Sequence, residues 1–251
     1  MYQGFYELTS GILTQQRNLN TISNNMANVE TAGFKKDTMT MSTFREEMVV
    51  RTGRTDRKTS TDLHTATPIV KADRTYTDFS QGALKETEGR YDFAISGNGF
   101  FAVRTPSGVR YTRNGSFSVS DGGVLRLENI GDVLGTDGQP IRIDNENFTA
   151  DDYGRIRSSD GRLLGQIRIV GFPDTDALRK EDNGMYSGQG GRDLSGRTKV
   201  MNGYLEQSNA DMVGQMTAMM SSERALQSAA QMLRLYDTVL QKASGDVGSL
   251  R

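Results

Sequence analysis

The two ends of the chain carry the same hydrophobic repeat, and that limits what the rest can do. Near the N-terminus Phe5, Ile12, Leu19 and Met26 recur every seven residues, and Leu8, Gln15, Ile22 and Val29 follow three residues behind. The spacing predicts a helix from residue 3 to about 29. It should end near Asn28, because Asn25 and Asn28 favour caps and turns and Gly33 is free to take a positive φ. From 203 to about 243 the pattern returns: Leu205, Met212, Met219, Leu226, Leu233 and Leu240, with Met216 and Ala230 on the second seam. A helix of that length spans roughly 60 Å. Both stripes are two-sevenths wide, as in a coiled-coil seam. A chain of 251 residues has no core long enough to cover such a stripe. Period alone leaves open an ordinary amphipathic helix packed on its own domain.

The middle of the chain, residues 75–202, is punctuated for β-structure. Twenty of the 28 glycines lie between Gly82 and Gly196, separating short runs such as Phe100–Arg104, Val109–Arg113 and Leu163–Val170. Asn98-Gly99, Asn114-Gly115, Asp121-Gly122, Asp137-Gly138 and Asp160-Gly161 are dipeptides that tight hairpins favour. This predicts an antiparallel sandwich or barrel. Residues 35–74 are threonine-rich and charged and read as an extended linker. The expected fold is therefore α+β, with segments 1–34, 35–74, 75–202 and 203–251.

Chemistry has little to work with. Cysteine is absent, which removes disulfides and thiol catalysis, and His64 is the one histidine. A balance of 30 basic and 31 acidic residues provides no bulk field for nucleic acid or an anionic membrane. No window holds the ~20 apolar residues of a membrane span. No secretory signal is read at the N-terminus either, which on its own suggests a cytosolic protein. Ser96–Phe100 resembles a nucleotide loop only superficially, since no helix pattern and no lysine follow. Asp144, Glu146 and Asp151-Asp152 lack the spacing of a calcium loop. Arg104, Arg110, Arg113 and Arg126 read as charged strand faces. No catalytic, metal or cofactor site is expected, nor a small-molecule substrate. A glycan-binding β-domain with helical arms, using Asp144 and Glu146, is the rival from another class.

Three motifs carry a resemblance. Asn25-Met26-Ala27-Asn28-Val29-Glu30-Thr31-Ala32-Gly33-Phe34-Lys35 is similar to the N-terminal signature of the flagellar rod and hook axial protein family. Gly203-Tyr204-Leu205-Glu206-Gln207-Ser208-Asn209 resembles the start of its C-terminal helix, and Ala94–Phe101 with Tyr111–Phe117 the entry to its β-domain. Glu223-Arg224-Ala225-Leu226-Gln227 departs from the family's usual Gln-Arg-Ala-Tyr-Glu.

The resemblance implies a structural subunit of the basal-body rod, a helical drive shaft whose terminal helices form an inner coiled-coil tube around an export channel. The length fits a rod subunit better than the longer hook subunit. It further implies partners among copies of itself and other rod and hook proteins. Export would proceed unfolded through the flagellar export apparatus, without a cleaved signal.

Overall fold

A computed structural model describes residues 2–43, 50–51, 61–62, 70–143, 148–181 and 183–248. His64, Asp144 and Glu146 lie outside the described residues. Helix α1 runs Tyr2–Ala27 and helix α2 runs Met212–Gly248, and between them lie short strands that pair antiparallel from Leu84 to Glu206. The α+β class stands.

Both helices are shorter at the inner end than the repeat predicts. Helix α1 stops at Ala27 because its last turn tightens: Asn28 N–H donates to Asn25 O at 3.3 Å and Val29 N–H to Met26 O at 3.4 Å. Val29 thus belongs to the turn that follows, and Gly33 takes φ +67° six residues beyond the helix. Leu205 is not helical either. It sits in the strand Tyr204–Glu206, paired with Leu84–Glu86 in the register Leu205↔Lys85. The ladder with Leu84–Glu86 uses the backbone groups that a helix would need for itself. One seven-residue step, from Leu205 to Met212, carries no periodic information.

The chain divides into two compact units. One comprises 1–24, 37–76 and 213–251; the other comprises 25–36 and 77–212. In the first, Asn18 Nδ2 donates to Ser222 Oγ at 3.0 Å, joining α1 to α2. Helix α1 enters the second unit at its C-terminal end, and α2 leaves that unit at its N-terminal end. The expected linker also differs from its reading. Asp37–Thr43 pairs with Val70–Thr77 in a two-stranded sheet, and Thr40 Oγ1 donates to Arg74 O at 3.1 Å. Threonine is β-branched and suits such a ladder.

In the second unit the strand Phe100–Thr105 is central, pairing with Gly108–Thr112, Gly131–Val133 and Ile169–Gly171. Its successive side chains point to opposite faces, and both faces are covered. Phe101 enters the larger core with Phe93, Phe117, Leu125 and Ile156. Phe100 packs with Leu178 and Tyr186 on the other face, and Ala102 with Leu134 and Val170. The small sheet Phe148–Ala150, Arg155–Ser158, Leu163–Gln166 closes the larger core with Phe148 and Ile156.

Candidate functional site

The N-terminal motif, the C-terminal motif and the entry to the β-sheet converge on one buried cluster. Glu206, fully buried at the end of its strand, is the centre. Its Oε1 accepts from Lys35 Nζ at 2.5 Å and from Gly82 N–H at 2.9 Å, and its Oε2 accepts from Arg113 Nη1 at 3.0 Å. Lys35 also donates to Ser80 O at 2.7 Å, and Arg113 Nη2 to Gly97 O at 2.8 Å. Lys35 is 0 % exposed and Arg113 4 %, so two buried cations share one buried carboxylate. Burial holds the Lys35 ammonium below the usual lysine range; Glu206 opposes that shift and Arg113 adds to it.

Backbone geometry builds the cluster as much as charge does. Gly33 N–H donates to Glu206 O at 2.7 Å. A Cβ on Gly33 would stand 2.3 Å from the Arg113 carbonyl carbon, and its φ of +67° excludes most side chains in any case. Phe34 is buried beneath the Lys180 ammonium, which lies 4.1 Å from the ring centroid and donates to Lys35 O at 2.9 Å. Asn209 clamps the other side: its Oδ1 accepts from Lys36 N–H at 2.8 Å and its Nδ2 donates to Asp78 O at 2.7 Å. Gly203, at φ +76°, donates from its N–H to Asp92 O at 2.8 Å and accepts from Thr87 N–H at 2.7 Å. Tyr204 pairs with Glu86 beside it. Ser208 Oγ accepts from Ala210 N–H at 3.2 Å, just ahead of α2. Asn25 is buried, Asn28 Oδ1 accepts from Thr31 Oγ1 at 3.3 Å, and Ala27 and Thr31 are exposed.

The predicted seams divide. In α1 Ile22 is buried, Leu8, Ile12, Leu19 and Met26 are half-buried, and Phe5 lies in the first turns. In α2 Met219, Leu226, Leu233 and Leu240 are half-buried, whereas Met212 and Met216 are each 56 % exposed. Outside the predicted seam, Val213, Met220, Met232, Leu235 and Val239 are exposed as well. Among the described residues no group of three or more acidic or histidine side chains is placed to hold a metal ion. No described helix is long and apolar enough to cross a membrane.

Charge pairing on Glu206 was not readable from spacing, because its partners lie 171 and 93 residues away. The signal that finds it is the set of motifs: each of the three supplies one member of the cluster. Residues 5–35 match the flagella basal body rod protein family, 94–146 the D1 domain of the flagellar hook proteins FlgE/F/G, and 201–245 the C-terminal region of the flagellar basal body rod FlgEFG proteins. Over 272 aligned residues the chain is 31 % identical to the flagellar hook-basal body complex protein FlhO of Bacillus subtilis, covering 100 % of both chains. The chain belongs to the flagellar basal body rod protein family. It is also 30 % identical to the basal-body rod protein FlgF of Mesorhizobium japonicum, over 99 % of each chain. To the basal-body rod protein FlgG of Buchnera aphidicola (subsp. Acyrthosiphon pisum) it is 30 % identical, over 94 % of this chain and 96 % of the relative. As a member of the rod family the chain is a structural subunit of the flagellar basal body, and Lys35, Arg113 and Glu206 each fall within a matched segment.

Proposed function

We propose that this subunit assembles helically with copies of itself and with other axial proteins into the drive shaft that transmits torque around the export channel. The observation that carries this reading is the apolar surface of α2 that α1 leaves uncovered. Val213 is 74 % exposed, Leu235 63 % and Val239 64 %. At 100° per residue, Met216 and Met220 fall on one flank of the Met219–Leu226–Leu233 line and Met232 and Val239 on the other. In this reading the half-buried line joins α1 to α2 within a subunit, and the two flanks meet two different neighbours as a multi-stranded coiled coil. Methionine suits a face that repacks against several partners. The subunit performs no catalysis here; it reaches its place unfolded, through the flagellar export apparatus.

Hydrogen exchange tests this directly. Amides of 2–24 and 213–248 are expected to exchange fast in the isolated subunit and slowly in purified basal bodies, while those of the β-unit stay slow in both. Equal protection of the helices in both states would remove the inter-subunit contact.

A further inference from the structure

Beside the buried cluster a cavity of about 400 Å³ opens, lined by Phe79, Phe100, Phe172 and Leu194 and by two cations, Arg113 and Arg192. Its volume lies in the range of sites that hold a small ligand or one inserted side chain. Two features make it more than a surface hollow. First, Arg113 uses Nη1 and Nη2 on Glu206 and Gly97, but its Nε is buried with no hydrogen-bond partner. A buried donor left unpaired carries a desolvation cost that a bound acceptor removes. Second, Arg113 shares its counter-ion Glu206 with Lys35, so this cation of the cavity wall has only part of a carboxylate to itself. Arg192 is exposed at the cavity and adds another.

We propose that this cavity receives a carboxylate on an apolar stem, an acidic side chain presented by a neighbouring rod subunit. The aromatic walls suit the stem, and the planar guanidinium groups suit two carboxylate oxygens. A free phosphate matches the cations but leaves three aromatic rings without a contact, which favours the carboxylate. The identity of the donor rests on the helical assembly proposed above; the chemistry of the pocket does not.

Two experiments on the full chain separate these. Titration of the isolated subunit with benzoate, followed by NMR, is expected to give saturable shifts at Gly99, Arg113 and Arg192. Benzamide, of the same shape without the charge, should bind at least tenfold more weakly, as should benzoate to Arg192→Gln. Absence of saturable benzoate binding, or equal binding of benzamide, overturns the pocket. In cells, Arg192→Glu should leave the thermal transition of the purified subunit unchanged and sharply reduce the number of complete rods. Complete rods in normal number with Arg192→Glu overturn the neighbour-borne carboxylate while leaving the rod assignment standing.

Discussion

The two units of this molecule handle buried and exposed chemistry in opposite ways. In the β-unit apolar side chains are covered on both faces of the central strand, and even the charges at its edge are buried and paired. In the helical unit the seam side chains are half-buried, and methionine, leucine and valine stand in water. The β-unit buries most of its apolar side chains by itself, while the helical unit keeps large apolar side chains exposed. On the proposed assembly, monomer stability rests mainly on the β-unit and the contacts between subunits on the helical unit, so substitutions should separate the two.

The largest effect on the isolated subunit is expected from Glu206→Gln. It leaves Lys35 and Arg113 buried without an anion, and breaking a buried pair in this way costs about 3–5 kcal/mol. Urea unfolding of the β-unit measures it. Lys35→Met should cost clearly less, because the Arg113–Glu206 pair survives and a buried ammonium is removed; equal losses from both would show that charge does not organise the cluster. Gly33→Ala comes next. A Cβ 2.3 Å from the Arg113 carbonyl carbon, on a residue at φ +67°, forces the two segments apart. A loss of about 2 kcal/mol or more is expected from backbone strain and displaced contacts. The same unfolding curve reports it.

Leu226→Asp moves the test to the other unit. The side chain is half-buried in α2, so helical content should fall while the β-unit melts as before, and rods should be lost from basal bodies. Met220→Asp, at a residue 45 % exposed, is expected to leave both transitions of the monomer within about 0.5 kcal/mol and still to prevent rod completion. A normal swimming phenotype for Met220→Asp would erase the proposed division between the seam and its flank. The smallest effect is a pH dependence at Asp78. The Ser80 backbone N–H, aided by Lys36, holds its carboxyl below the ordinary value of 3.8. Its contribution is complete above that value and is lost as pH falls through the lower, folded one. Asp78→Asn should flatten only this acid limb of the stability profile, read by melting between pH 2 and 6 (roughly the titration range of carboxyl groups).

What the sequence made legible follows from the range of the signal. The helices were readable because a seven-residue period repeats many times within one element. The turns at Asp121-Gly122 and Asp160-Gly161 were readable because each joins two strands that pair with each other. Asn114-Gly115 was misread as a hairpin. Gly108–Thr112 and Phe117–Val119 pair with other strands, and Gly115 is there because a Cβ would fall 1.7 Å from Phe93 O. The inner helix ends failed as well. At Val29 a tightened last turn ends the helix, and at Leu205 pairing with the distant strand Leu84–Glu86 outweighs the local repeat. The buried cluster was legible only as motif residues, since no local pattern announces that Lys35, Arg113 and Glu206 meet.

The separation of those three residues along the chain has a temporal consequence. Lys35 and Glu206 are 171 residues apart. A chain that emerges N-terminus first exposes Lys35 and Arg113 long before their shared carboxylate arrives. Until about residue 206 is free, the β-unit lacks both its last strand and its counter-charge, so closure waits for nearly the whole polypeptide. Contacts of such long sequence separation also close slowly. In any chain released N-terminus first, this cluster is therefore among the last parts of the β-unit to close.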